Sequence, residues 1–275
     1  MIYLLFDIGG TKMRLAVSKD GKTFGEPKVV PTPKKFEEAI EIFKKTADEL
    51  SGGEKIQVAG GGMKGPFNKE KTEFANPQNL PDWSRRPIKQ ELEKALEAPV
   101  FIENDTAIVG LGEMHVGAGK GREIGVYITV STGVGGTRFI NGKIDKNRFG
   151  FEPGHQIIDI ENNKSLEDFV SGAALEKRMD KKPYEVTDSK VWNGLAHTLA
   201  YGLNNTILHW SPDVVILGGP MIVGDPAISV ETVKKYLNDI NSVFPELPEI
   251  KKAELGEFGG LHGALAFLNQ KKELK

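Results

Sequence analysis

Asp7-Ile8-Gly9-Gly10-Thr11-Lys12 near the amino terminus and Ser131-Thr132-Gly133-Val134-Gly135-Gly136-Thr137 near the middle decide how this chain folds. Each follows a run of β-formers, Ile2-Tyr3-Leu4-Leu5-Phe6 in the first case and Gly125-Val126-Tyr127-Ile128-Thr129-Val130 in the second, and each leads into another apolar strand. Both therefore read as β-hairpins turned on glycine. Glycine at such a turn allows φ > 0 and lets an anion approach bare backbone N–H groups, while the threonine hydroxyls and Lys12 add donors. Two phosphate-sized cradles suggest a nucleotide held between two similar half-molecules, with Asp7 placed to hold a hydrated metal ion. Ordinary hairpin turns are the competing reading, since neither stretch matches the Walker phosphate loop or the glycine loop of protein kinases.

Between the turns, Pro99-Val100-Phe101-Ile102-Glu103-Asn104-Asp105 is a short apolar strand that runs directly into the helical stretch Thr106 to Glu113. An acid at the carboxyl end of a buried strand faces the crevice where α/β sheets bind ligands, so Asp105 can accept a proton there. Asn104 and Asp105 equally suit a helix cap. Further on, Gly150-Phe151-Glu152-Pro153-Gly154-His155 presents an acid and an imidazole on a rigid turn, an arrangement suited to a polyhydroxylated ligand. Asp213-Val214-Val215-Ile216-Leu217-Gly218-Gly219-Pro220 is another buried strand ending in glycines, either a surface for an adenine ring or a plain strand-to-helix turn.

Taken in order, Asp-x-Gly-Gly-Thr-Lys, Glu-Asn-Asp, Ser-Thr-Gly-Val-Gly-Gly, Glu-x-Gly-His and Val-x-Leu-Gly-Gly resemble the motifs of the ROK family, a group of bacterial sugar kinases and related repressors. The resemblance runs from Asp7 to the terminal Gly259-Gly260-Leu261-His262-Gly263-Ala264 helix. It implies an α/β chain with a two-domain actin-like ATPase fold, built of duplicated ribonuclease-H-like domains around a central cleft. The first domain would span residues 1–116 and the second 117–275, with the helix from residue 260 able to pack back on the first. The implied reaction transfers the γ-phosphate of ATP, with Mg²⁺, to a hydroxyl of a free hexose, glucose at its 6-hydroxyl first. N-acetylglucosamine, N-acetylmannosamine and fructose are the alternatives, as is a non-catalytic sugar-binding role.

Carried over residue by residue, the resemblance makes Asp105 the catalytic base and Asp7 the holder of Mg²⁺ through water. It implies sugar contacts for Gly65, Asn79, Asn104, Glu152, His155 and Glu167. Gly9, Gly10, Thr11, Lys12, Thr132 and Gly133 fall on the phosphates, and Gly218 and Gly219 near adenosine. The chain departs from the family where most members carry a zinc-binding Cys-x-Cys-Gly-x-x-Gly-Cys run. Here the stretch is Ile160-Glu161-Asn162-Asn163-Lys164-Ser165, and there is no cysteine anywhere. No zinc is expected, so another acceptor must orient His155, with Asp159 and Glu161 as nearby candidates. Thr137 also replaces a family glycine in the second turn.

At 275 residues the chain suits two domains or one large one, and a hydrophobic share of 39% is enough for real cores. No apolar stretch approaches the roughly 18 residues of a spanning helix, and the chain opens on a strand rather than a charged leader, so a cytoplasmic protein without a membrane partner is expected. A net charge of −2 offers no field for polyanions, which argues against a nucleic-acid partner. A sugar-sensing repressor would need a DNA-binding helix pair ahead of the first strand, where Met1 stands only six residues from Asp7. The expected partners are a small sugar and a nucleotide, with a homodimer left open.

The periodicity of Phe36, Ala39, Ile40, Phe43, Ala47 and Leu50 predicts a helix stopped at Gly52-Gly53, and Ile88, Leu92 and Leu96 predict another after a proline. The second half should open with a strand and glycine hairpin from Ile128 to Ile144, turned at Asn141-Gly142. A long helix from about Lys190 to Trp210, a strand over Val214–Leu217, a helix around Val230–Ile240 and a last helix from Gly260 complete the pattern. Both halves begin with a strand, a glycine-threonine turn and a second strand, which hints at a duplication. Gly117-Ala118-Gly119-Lys120-Gly121 between them reads as a hinge or an exposed loop.

Overall fold

The computed structural model describes residues 2–65, 67–73 and 80–272, so the expected sugar contact Asn79 lies outside the described residues. The chain divides into two compact units, Met1–His115 with Asn147–Phe149 and Leu255–Lys275, and Val116–Lys146 with Gly150–Glu254.

In the first unit, β1 (Ile2–Ile8) is buried at every position but Asp7, the pattern of a central strand covered on both faces. The chain turns at Gly9-Gly10-Thr11 into antiparallel β2 (Lys12–Ser18), and β3 (Lys28–Pro31) pairs antiparallel with β2. The first helix, α1 (Phe36–Ser51), buries Phe36, Ala39, Phe43 and Ala47 and stops at Gly52, whose φ of 63° is left-handed, as the sequence predicts. Next come β4 (Ile56–Met63), α2 (Ile88–Leu96) with its buried stripe of Ile88, Leu92 and Leu96, and β5 (Val100–Asn104). The chain enters α3 (Asp105–Val116) without a linker. The sheet order is β3-β2-β1-β4-β5, with β1, β4 and β5 parallel.

The second unit opens with β6 (Ile124–Val130), β7 (Val134–Ile140) and β8 (Lys143–Ile144), the last two turning at Asn141-Gly142 with φ of 51° and 68°. A small hairpin of β9 (Ile157–Asp159) and β10 (Lys164–Ser165) leads to α4 (Glu167–Val170) and α5 (Gly172–Met179). Then follow α6 (Ser189–Trp210), β11 (Val214–Gly218), α7 (Pro220–Val223), α8 (Val230–Ile240) and β12 (Glu249–Lys252). Trp192, Leu195, Leu199 and Leu203 of α6 are buried, as their helical spacing requires. The main sheet has the order β8-β7-β6-β11-β12, and its pairings repeat those of the first sheet strand for strand. The hint of duplication in the sequence is a duplication of topology. Among the described residues no helix is long and apolar enough to cross a membrane.

The closing helix, α9 (Gly259–Lys272), belongs to the first unit and packs on β1 and β4. Two glycines let it approach α3: a Cβ on Gly263 would stand 1.7 Å from the Ile108 carbonyl oxygen, and one on Gly112 would stand 2.6 Å from that of Gly259. Gly263→Ala should therefore force the helices apart and lower stability by about 1–3 kcal/mol, read from the midpoint of urea unfolding. Gly194, exposed on α6 with nothing within 4 Å of its missing Cβ, is the control. There Ala should raise the midpoint, by up to about 1 kcal/mol, through helix propensity alone. A destabilised Gly194→Ala or a neutral Gly263→Ala would contradict this account of the helix contact.

Candidate functional site

The parallel register aligns the carboxyl ends of three strands in the first unit, with Asp7 opposite Gly62 and Gly62 opposite Glu103. Because β4 carries glycine at position 62, no side chain from that position stands between Asp7 and the β5–α3 junction; a Cβ on Gly62 would come within 2.9 Å of Asp105 Cα. Two carboxylates thus share one strand-end crevice. Burial first, and the neighbouring Asp105 second, push the Asp7 pKa up to about 6, against the opposing pull of Arg14. Asp105 is likewise raised, chiefly by burial, while a hydrogen bond from the Thr106 N–H and the charge of Lys64 pull the other way.

The cap at this junction is Asn104. Its Oδ1 accepts the Ala107 N–H at 3.3 Å, whereas Asp105 Oδ1 accepts from its neighbour Thr106, at 2.7 Å from the backbone nitrogen. Asp105 is left facing the crevice with a raised pKa, a combination typical of functional carboxylates. Gly65 lies beside Asn104, its missing Cβ 3.4 Å from Asn104 Nδ2.

Arg14 also belongs to this constellation, and no motif singled it out. Its Nη1 stands 3.4 Å from Asp7 Oδ2, its Nη2 3.8 Å from Glu257, and its buried Nε has no acceptor among the described residues. The hairpin was signal enough: with the turn at residues 9 to 11, Arg14 pairs directly with Asp7. From α9 the first turn closes on the same acid, since a Cβ on Gly260 would stand 2.7 Å from Asp7 Cγ.

In the first glycine turn the carbonyls are consumed internally. Lys12 O accepts the Gly9 N–H at 2.9 Å, Thr11 O accepts the Thr32 N–H at 3.0 Å, and Gly9 O accepts the Thr32 hydroxyl at 2.8 Å. The N–H groups of Gly10 and Thr11 find no acceptor among the described residues. Lys12 and Thr11 are exposed at the same turn. The second unit repeats this arrangement. Gly133 O accepts from Ser131 at 2.8 Å, Ser131 O from Gly172 at 2.7 Å and Thr132 O from Ala173 at 3.3 Å, leaving the Thr132 and Gly133 N–H groups without acceptors among the described residues. Both turns are donor-rich concavities, the form an anion site takes. Neither Gly9 nor Gly133 adopts the positive φ foreseen for such turns; what matters at Gly133 is the absent side chain.

That space is filled by Glu167. Its Oε2 accepts the Val134 N–H at 2.6 Å and would stand 2.5 Å from a Cβ on Gly133. The residue expected among the sugar contacts therefore rests on the second glycine turn. The Glu152–His155 turn packs on the same strand, with a Cβ on Gly154 only 2.1 Å from Val134 O, and both Glu152 and His155 are exposed. Asp159 and Glu161 were the candidates to orient His155. Asp159 accepts both the N–H and the Nδ2 of Asn162, at 3.1 and 2.8 Å, and Asp168 is held below the usual carboxylate range chiefly by hydrogen bonds from Ser165. It takes the Ser165 N–H and hydroxyl, each at 2.8 Å, bracing the short hairpin that stands in place of the cysteine run.

Gly218 and Gly219 have reasons internal to the fold. Cβ atoms there would meet the Tyr127 hydroxyl at 2.4 Å and the Val130 carbonyl oxygen at 2.4 Å, and Gly219 has a φ of 86°. Packing therefore requires glycine at both positions.

Among the described residues no group of three or more His, Cys, Asp and Glu could hold a metal ion. Mg²⁺ asks for less, because it keeps much of its water and takes one or two carboxylates together with phosphate oxygens. Asp7 fits that requirement, being a carboxylate whose ionised form is disfavoured until a cation arrives.

The sequence profile of the ROK family matches residues 3–271. The chain is 28% identical to a putative fructokinase of Bacillus subtilis, over 96% of its own length and 94% of the relative's. The crystal structure of a ROK hexokinase from Thermus thermophilus superposes with a TM-score of 0.82 at 29% identity, covering 99% of this chain and all (100%) of that one. A ROK family glucokinase from Streptomyces griseus, crystallised with glucose and AMPPNP, superposes with a TM-score of 0.80 at 24% identity over 98% of this chain and 100% of its own. The fold is thus the actin-like ATPase fold, two α/β sheets with neither closed into a barrel.

The raised Asp7 pKa has a testable sign. A carboxyl whose folded pKa lies above its ordinary 3.8 favours folding in its protonated form, so its contribution is present below about pH 4 and lost as pH rises through about 6. Asp7→Asn removes that loss. Without metal or nucleotide, the variant should gain stability over the parent between pH 4 and 7, by on the order of 2–3 kcal/mol. Urea unfolding of both proteins across this range checks it, and a difference that shrinks with rising pH would overturn the assignment.

Proposed function

Because the chain belongs to the ROK family, we propose that it is an ATP-dependent sugar kinase, transferring the γ-phosphate to a hydroxyl of a free hexose with Asp105 as general base. The observation that carries this reading is the state of Asp105: it is relieved of capping by Asn104, raised in pKa by burial, and set in one crevice with Asp7. Glucose at its 6-hydroxyl is put first because the Streptomyces griseus relative binds glucose beside an ATP analogue. Fructose is the alternative that the Bacillus subtilis relative brings forward.

In this reading Asn104 and the backbone at Gly65 hold the sugar so that its hydroxyl points at Asp105, which accepts the proton as the oxygen attacks. Glu152 and His155 supply further hydroxyl contacts. The free N–H groups of Gly10, Thr11, Thr132 and Gly133, with Lys12, receive phosphate oxygens, and such fixed dipoles stabilise the charge spread over the transferring group. Glu167 shares the second cradle, so the phosphate takes Thr132 and Gly133 while the carboxylate keeps Val134. Asp7 would hold Mg²⁺ through water, and the ion supplies charge neutralisation between phosphates when bound. A domain boundary near residue 116 and a cytoplasmic location belong to the same reading.

ADP release with ATP and Mg²⁺ should be stimulated by at least one of glucose, mannose, fructose, N-acetylglucosamine and N-acetylmannosamine. Silence with all five would remove the kinase reading. With the active sugar, Asp105→Asn should lower kcat by at least about 10²-fold while sugar binding, measured by calorimetry, persists. Near-normal turnover would return Asp105 to a structural role.

A further inference from the structure

Glu103, the first residue of the Glu-Asn-Asp motif, is buried and is given no role of its own by the resemblance. Both of its carboxylate oxygens accept from Lys71 Nζ, and Oε1 also accepts the Asn104 N–H at 2.9 Å. Lys71 stands on a turn built by Asn68. Asn68 Oδ1 accepts the Thr72 N–H at 2.8 Å, its Nδ2 donates to Thr72 Oγ1 at 2.8 Å, its carbonyl takes the Lys71 N–H at 3.0 Å, and its own N–H reaches Glu73 O at 3.1 Å. Lys71 itself sits at a φ of 54°, a conformation a lysine adopts only when its surroundings hold it there.

The pair thus joins two pieces of chain that sequence keeps 32 residues apart: the turn following Gly65, and the strand end carrying Asn104 and Asp105. A buried ion pair adds little net stability over apolar residues of the same volume, whereas losing one partner leaves a buried charge uncompensated. Its distinctive contribution is direction. Glu103 grips the Asn104 backbone with Oε1, one of the two oxygens that grip Lys71, so the position of the turn and the position of the junction peptide are set together.

We propose that the Lys71–Glu103 pair positions the hexose side of the site, latching the turn over residues 67–73 to the strand end that carries Asn104 and Asp105. This rests on the kinase reading for its kinetic consequence, and on geometry alone for the latch. Neither residue touches the reacting atoms; both act through Asn104 and through the backbone that follows Gly65.

Lys71→Ala and Glu103→Gln should each raise KM for the active hexose by about 10-fold to 100-fold, with kcat and KM for ATP within about threefold of the parent. Lys71→Arg, which keeps the charge, should stay close to the parent, and the exchanged pair Lys71→Glu/Glu103→Lys should recover part of what either single change loses. Hydrogen exchange over residues 67–73 should quicken in Lys71→Ala. Sugar and ATP KM values rising together, or an unchanged sugar KM beside a lowered unfolding midpoint, would make the pair structural only and overturn the proposal. If the parent phosphorylates no hexose, it is the kinase reading that fails. The exchange measurement then decides the latch by itself: quickened exchange upholds it, and unchanged exchange overturns it.

Discussion

The first unit depends on a parallel register with an empty middle. β1, β4 and β5 run side by side so that Asp7, Gly62 and Glu103 fall in one row at their carboxyl ends. Parallel strands need buried faces, and α1, α2, α3 and α9 supply the cover, which is why these strands read as near-continuous apolar runs rather than alternating ones. Glycine at position 62 removes the one side chain that would separate the acids of the outer two strands. Burial raises both carboxyls of this crevice, and the charge of Asp105 adds to the rise at Asp7.

The two glycine turns express a second constraint, common to both units. A turn must place its carbonyls as well as its N–H groups, and here neighbouring chain takes the carbonyls: Thr32 in the first unit, the start of α5 in the second. What is left over is donors. The same backbone accounting explains why Glu167 can settle on Val134, since a carboxylate is what such a surface attracts.

The loop from Ile157 to Ser165 is braced by short polar side chains around a two-stranded hairpin. Asp168 takes both donors of Ser165, Asp159 takes two from Asn162, and Gln156 is held by Gly202 O and Asn205 at 3.2 and 3.0 Å. Each bond is local or leans on α6, and together they add to the backbone pairing of β9 with β10. His155, at its edge, is exposed.

Sequence by itself determined the elements. Glycine turns, the Gly52 stop, the 3.6-residue stripes of α1, α2, α6 and α8, and the Asn141-Gly142 hairpin were legible because each follows from backbone sterics or periodicity within one short stretch. The Asp7–Arg14 pairing was legible too, once the hairpin register was counted. Tertiary structure alone decided which polar groups meet across long separations. Whether Asn104 or Asp105 caps α3, and that Lys71 would find Glu103, depend on where packing aims a side chain. Residue type and spacing carry no such information, because the same short polar side chain serves a cap, a turn or a site according to the direction the folded backbone gives it.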